Sequence, residues 1–590
     1  VAVRIEYRVL DGKIFFMKLN KILLFLLIAV TILIACSKNL LDQRPLGNLD
    51  DQGIKTKAGV EGLLVGAYSL LDGVGSPNSN SPWESAGSNW LYGSVCGSEA
   101  HKGTQSNDQP DMQSIERFKT TANNPFMGSK WGTLYDGAQR CNDVLRIMRQ
   151  VNSLTSTDTV QYRAEALCLR AHYHIEAKLM WNRVPFIDES ITYPNDDYKV
   201  SNAEEIWPRI EEDLGYAVAH LPEFQDEKGK VNRYTALALL AKAFLFQHKY
   251  DSAKTVLDII ISSGKYSLGK FEDNFNAAIK NGPESVFAAQ STVNDNAGGN
   301  NGNLGDILNY PNGSGPVGCC GFYQPSQYLV NHFKTNPSTG LPDLDNYNLV
   351  DVKNDIGLLS GDPFVPYTGS LDPRLDRTVG RRGIPYLDWG INPGDDWIRE
   401  QSSGGPYTPI KNMYLKSQAG TYSDITFWTT GPNAININLI RYAEILLWAA
   451  EAEVLSPKGS LTKAQEYVNQ LRLRAADPSG WVYKYKDDLH PELGFSDTAA
   501  ANYHINPYPG TWTDPVFALK AIRYESMLEL AMEGHRFFDL VRWGIAETEI
   551  NTYLAKEKNI TGYLAEAQFD STQDNYFPIP QSEIDKTDHH

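Results

Sequence analysis

Three groups of polar side chains in this sequence have types and spacings that chemistry uses. His172-Tyr173-His174-Ile175-Glu176 offers imidazole and carboxylate groups, as a metal would need. On a helix His172 and Glu176 share a face while His174 points elsewhere, and no H-E-x-x-H run exists, so packing is the better reading. Glu529, Glu533, Arg536, Asp539 and Arg542 alternate in sign near a helix end. Paired carboxylates can hydrolyse a glycoside, but opposite charges at helical spacing more often form ion pairs. Asn294-Asp295-Asn296 and, farther on, Asp343 and Asp345 offer oxygen ligands for calcium. Neither stretch has the EF-hand order, so turn residues are expected there.

Binding without catalysis needs flat apolar rings beside amides and carboxylates. A pyranose presents axial C–H groups to a Trp or Tyr face while its hydroxyls take hydrogen bonds. Two loop segments offer this combination. Trp83, Trp90 and Tyr92 lie beside Asn89, and Tyr386, Trp389 and Trp397 lie beside Asp388, Asn392 and Asp396. Trp83, Asn89, Trp90, Tyr92, Tyr386, Asp388, Trp389 and Trp397 are therefore the candidate ligand residues. No catalytic residue, cofactor or metal site is expected, and no G-x-x-x-x-G-K-[ST] phosphate loop occurs.

Near the start, Lys18 and Lys21 precede an uncharged apolar run from Ile22 to Ala35. The run is shorter than the roughly 20 residues a membrane-spanning helix needs. A positive start, a short apolar stretch and a small residue at the end fit a secretory signal over 17–35 beginning at Met17. Residues 1–16 have no role in it and point to a misplaced start. Leu33-Ile34-Ala35-Cys36 resembles a bacterial lipobox, which makes Cys36 the expected acylated first residue of the mature protein, 36–590. Multiple acyl chains anchor stably, at about 0.8 kcal/mol per buried methylene.

Composition narrows the class further. The 590 residues are 42% hydrophobic and 21% charged, which excludes wholesale disorder and a multi-span membrane protein. The formal net charge of −17 repels phosphate backbones and argues against a nucleic-acid partner. Six cysteines in this length make no disulfide scaffold. Cys141 and Cys168 fall on helical patterns and read as small core residues, while adjacent Cys319 and Cys320 are either a vicinal disulfide or two thiols.

The elements that must position these groups are mainly helical. Tyr162, Ala166, Leu169, Tyr173, Ala177 and Met180 recur at steps of three and four, which places them on one helix face. Segment 234–263 reads as an Ala-rich helix ending near His248-Lys249 and a second beginning at Asp251. Its small residues resemble those of a tetratricopeptide pair. Further pairs are expected at 131–150 with 160–182 and at 438–455 with 460–476, and one long helix over 514–541. The spacing between pairs is uneven, so the array is degenerate. Between about 291 and 437, Gly, Asn and Pro replace helical periodicity and predict a loop-rich insertion in a scaffold of about 50–290 and 438–550.

Taken in order, WGTLYDGAQRCNDVL at 131–145, RAEALCLRAHYHIEAKLMWNRVPFI at 163–187, ALALLAKAFLFQHKYDSA at 236–253, IRYAEILLWAAEAEVL at 440–455, RYESMLELAMEGHRFFDLVRWG at 523–544 and YFPIPQSEI at 576–584 resemble the SusD/RagB family. The resemblance implies a mainly α fold, with tetratricopeptide-like pairs in a right-handed superhelical scaffold beside an irregular lobe. It implies a lipid-anchored outer-membrane protein facing the exterior. Such a protein captures a nutrient, commonly an oligosaccharide, and delivers it to a SusC-like TonB-dependent transporter. The alternatives are a surface glycan-degrading enzyme, or an envelope scaffold that binds no small ligand.

Overall fold

A computed structural model of the chain describes residues 51–191 and 199–586. Cys36, the segment 17–35 and residues 1–16 lie outside the described residues. Two compact units are present, Val1–Gly59 and Val60–His590. The described part of the first holds the short helix Asp51–Ile54, closed by Thr56, whose hydroxyl donates to Gly53 O at 2.8 Å.

The second unit is built on a run of helices. These are α1 (Pro125–Met148), α2 (Ser156–Trp181), α3 (Trp207–His220), α4 (Arg233–Phe246) and α5 (Tyr250–Ser262). After the loop-rich stretch come α6 (Tyr442–Leu455), α7 (Leu461–Ala476), α8 (Pro515–Leu530), α9 (Arg536–Arg542), α10 (Ala546–Glu557) and α11 (Gln581–Lys586). Each helix from α1 to α7 packs on the next, and α5 meets α6 across the interruption. The stack therefore continues through the insertion.

Local chemistry sets the helix starts. Asn124 caps α1 by accepting from Phe126 N at 2.9 Å, with Pro125 in the first turn, where its missing N–H costs nothing. Thr155 and Asp158 form a reciprocal capping box at the start of α2. The expected face of α2 is buried, but so is every residue from Ala164 to Trp181, because α1, α3 and α4 surround it. Gly137 of α1 lets the helices approach. A Cβ there would sit 2.4 Å from the Tyr173 ring.

The expected helix over 514–541 is broken. It ends at Leu530 and resumes at Arg536, with Met532 and Gly534 at positive φ between the two parts. The cause is a close backbone crossing. A Cβ on Gly534 would stand 1.9 Å from Ser88 O, and one on Gly93 1.7 Å from Gly534 O. A continuous helix cannot make that contact.

Strands are short and occur only as antiparallel pairs among the described residues. β1 (Ala100–Gly103) pairs with β3 (Phe322–Pro325), and β2 (Ser285–Ala289) with β6 (Ile437–Arg441). The chain thus leaves the helical stack at β2 and re-enters at β6, hydrogen-bonded to its own exit. Short pairs β4 (Val379–Gly380) with β5 (Thr408–Pro409), and β7 (Tyr483–Tyr485) with β8 (Phe495–Ala499), complete the set. The lobe has its own small core around Tyr310, Tyr386, Trp397 and Ile410. Within it Cys319 and Cys320 are disulfide-bonded, while Cys96, Cys141 and Cys168 are free and buried.

β1 also carries a buried charge cluster. His101 Nδ1 lies 3.2 Å from Glu116 and Nε2 3.0 Å from Glu557, all fully buried. Burial alone would push His101 down, but its bonds to Glu116 and Glu557 outweigh it and hold the imidazolium up to about 9. A raised folded-state value stabilises fully below the unfolded value of about 6.5 and is lost as pH rises through about 9. The wild type is expected to lose on the order of 3 kcal/mol between those limits. Urea titrations at several pH values, run beside His101→Gln, check this. An equally steep alkaline loss in the variant would remove His101 as its source.

Candidate functional site

A groove of about 570 Å³ runs along the N-terminal half of α1. Gly128, Gly132, Tyr135 and Gln139 line it at steps of four, three and four, which makes one stripe on one helix face. Trp131 supplies a buried ring beside Tyr135, with centroids 4.8 Å apart, and is edge-on to Trp181 at 4.9 Å. Tyr135 is half-buried and flanks the groove. Its hydroxyl donates to Pro185 O at 2.8 Å, which fixes both the ring and the facing loop.

The remaining walls come from distant segments. Pro185, Ile187 and Ile191 form the apolar side. Asn142 Nδ2 donates to Ile187 O at 3.0 Å, and Ile187 N donates to His174 Nε2 at 3.1 Å. Exposed Asn78 and Asn80 form a second rim. Gly132 lets that rim sit close, since a Cβ there would be 2.5 Å from the Asn78 Cβ. Ser582, Glu583 and Lys586 of α11 close the third side, and α11 is tied down by Gln581 N donating to Ala122 O at 2.9 Å. An aromatic flank with amides around it suits a ligand having apolar faces and hydroxyl edges.

The candidate ligand residues fall elsewhere, in two places that the fold does not bring together. Trp83, Trp90 and Tyr92 belong to the main core, and Tyr386, Trp389 and Trp397 to the core of the lobe. Trp90 and Tyr92 are each 1% exposed, Tyr386 is 0% and Trp397 is 7%, so these rings are core and not platforms. Three of these polar tips are spent internally. Trp90 Nε1 donates to Gly305 O at 3.2 Å, Tyr92 Oη to Glu84 O at 2.7 Å, and Tyr386 Oη to Pro409 O. Half-buried Trp389 donates to Tyr414 O at 2.9 Å, and Asp388 accepts from Lys416 N and Ser417 N. Asn89 Nδ2 donates to Glu176 Oε2 at 2.8 Å, and Trp83 packs against the main core. Both sets of rings fold inward because the main core and the small core of the lobe each require them as filling. The aromatic that the lobe does present is Trp428, 64% exposed, in a segment whose Asp424 accepts from Thr426 N at 2.8 Å.

The other candidate chemistry is committed to structure. His174 donates through Nδ1 to Arg170 O at 3.0 Å and accepts at Nε2, so it is a neutral imidazole, and burial pushes it down to about 3. Glu176 takes Lys242 at 3.0 Å as well as Asn89. Asp295 accepts from Ala297 N and Asn301 Nδ2, and Asp343 from Asp345 N and Asn346 N, which are turn bonds.

Glu529 and Glu533 sit in a buried ionic cluster. Glu529 accepts from Arg441 at 2.6 Å, Arg374 at 3.0 Å and Arg474 at 2.5 Å. Glu533 accepts from Arg441 at 2.8 Å and Lys411 at 2.6 Å. Burial would raise both carboxylates, but the guanidinium groups around Glu529 hold it well below the carboxylate range, and Arg441 and Lys411 hold Glu533 at about 2. Neither can serve as a proton donor near neutral pH. Asp539 is bound by Arg542, which also forks onto Glu451 at 2.6 and 2.8 Å.

Comparison with known proteins places this architecture. Residues 283–589 match the family model described as "SusD family", and residues 54–245 one described as "Starch-binding associating with outer membrane". A SusD-like protein P2 from Formosa agariphila is 22% identical over 574 residues, 95% of this chain and 96% of that one. P38 from the same organism is 24% identical over 453 residues, 74% of this chain and 76% of that one. Among solved structures, a laminarin binding SusD-like protein superposes with a TM-score of 0.64 at 21% identity, covering 90% of this chain and 98% of that chain. Surface glycan-binding protein A from Bacteroides thetaiotaomicron, in complex with laminarihexaose, gives 0.60 at 19%, covering 90% and 97%. With half of its length under the first family model and the same helical stack throughout, the chain belongs to the SusD family.

Proposed function

We propose that this protein binds a nutrient glycan at the outer membrane, leaves it chemically unchanged, and hands it to a SusC-type TonB-dependent transporter. The observation that carries the binding reading is the α1 groove, where Tyr135 stands among amides and hydroxyls on a rigid helix. Family membership, and structural neighbours named for laminarin and laminarihexaose, support a saccharide as the ligand. Acylation at Cys36 supplies the tether, a reading that rests on Leu33-Ile34-Ala35-Cys36. Glu529 and Glu533, locked in ion pairs, support binding over hydrolysis.

Calorimetric titration with an oligosaccharide panel tests the groove. Tyr135→Ala is expected to weaken the best ligand by about tenfold, or 1.4 kcal/mol. Tyr135→Phe keeps the ring and is expected to bind near the wild-type level. Unchanged affinity in Tyr135→Ala would remove the ring from the site. Hydrolysis products appearing during titration would overturn the non-enzymatic reading.

A further inference from the structure

We infer that the groove selects uncharged glycans and rejects those bearing uronate or sulfate groups. This rests on the reading of the groove as a glycan site and adds the ligand's charge class. Among the described residues of its lining, the side chains charged at neutral pH are Asp136, Glu583 and Lys586. Lys586 lies 3.4 Å from Glu583, so the cation on the lining already has a carboxylate beside it.

Arg140, which grips the lining carboxylate Asp136, has no donor left to offer. Its Nε and Nη2 donate to Asp136 at 3.3 and 3.1 Å. Nη1 donates to Gly66 O and Ser69 Oγ, both at 3.0 Å, and Nη2 also to Gly75 O at 3.5 Å. All five N–H groups of the fork are thereby occupied.

The protein's own anions show what a built anion site looks like in this fold. Asp213 is gripped by both arms of Arg170 at 2.7 and 2.8 Å, and Glu451 by both arms of Arg542. Among the described residues, the lining of the groove holds nothing of that kind. Its polar rim is amide and hydroxyl instead. Asn80 spends an N–H on Ser129 Oγ at 3.5 Å and Gln139 one on Asp143 at 3.1 Å, while their amide oxygens remain as acceptors. Sugar hydroxyls donate to such oxygens and accept from the second N–H of each amide, whereas carboxylate and sulfate oxygens only accept and are repelled by the amide oxygens. The net charge of −17 adds a repulsive field for an approaching polyanion.

The test uses the full chain and matched ligands. Neutral hexose oligomers of several linkages are titrated beside the same oligomers oxidised at C6 to the uronate. The expected result is heat from a neutral oligomer, at least about tenfold weaker binding of its uronate partner, and a neutral affinity that does not change with salt. Equal or tighter binding of the uronate, falling as salt rises, overturns the charge preference and leaves the binding reading standing. Heat from neither series overturns the binding reading, and the charge preference goes with it.

Discussion

Replacing Glu529 by glutamine is expected to destabilise the folded protein by about 3–5 kcal/mol, the usual result of removing one partner from a buried ionic cluster. Glutamine keeps the shape but removes the charge, and Arg374, Arg441 and Arg474 are left facing a neutral amide with side chains at 1%, 1% and 9% exposure. The loss spreads because the cluster is shared. Arg374 also holds Asp372 and Glu525 at 2.7 Å, Arg472 holds Glu525 at 3.0 Å, and Arg441 reaches Glu284 at 3.4 Å. These residues come from the lobe, from α7 and α8, from β6 and from the residue just before β2. Urea unfolding read by tryptophan fluorescence measures the effect, with Glu529→Asp as a charge-keeping control. A glutamine variant that unfolds at the wild-type midpoint would show that the cluster's charges balance without Glu529. Because the folded-state value lies well below the carboxylate range, this contribution is present above about pH 4 and disappears only as pH falls through that depressed value.

Gly128→Leu is expected to abolish glycan binding, by about a hundredfold or more, while leaving the protein at least as stable as wild type. A Cβ built on Gly128 meets no heavy atom within 4 Å, and its backbone is helical, so a side chain there grows into the groove without strain. Exchanging glycine for a good helix former inside α1 contributes up to about 1 kcal/mol. Gain of stability together with loss of binding is a signature that misfolding cannot imitate. Thermal unfolding and calorimetry on one preparation give both readouts. Wild-type affinity in this variant would move the binding site away from α1.

How much of this was legible in the sequence depended on the range of the interactions. The pair at Arg233–Phe246 and Tyr250–Ser262 followed from Ala-rich periodicity, because helix signals are local. The break between Leu530 and Arg536 did not, because it arises from Gly534 crossing Ser88, a contact over more than four hundred residues of chain. The same limit hid the groove. Its walls come from Asn78, Gly128, Pro185 and Ser582, and each is ordinary in its own neighbourhood. The stripe of Gly128, Gly132, Tyr135 and Gln139 was the one local signal, since glycines at helical spacing leave a bare face. Loop tryptophans misled for the opposite reason. Their types suit a sugar, but Trp90 and Trp397 are consumed as filling. Exposed Trp428 stands among threonines with no local mark to separate it from them.

The closed doorway formed by β2 and β6 bears on how such proteins diversify. A lobe whose two ends are clasped together can be exchanged for a foreign one without changing the register of the helices on either side. The graft would carry one condition. Arg374 and Lys411 belong to the lobe yet complete the ionic cluster of the stack, so a transplanted lobe lacking those two would leave the recipient's Glu525, Glu529 and Glu533 each one counter-charge short.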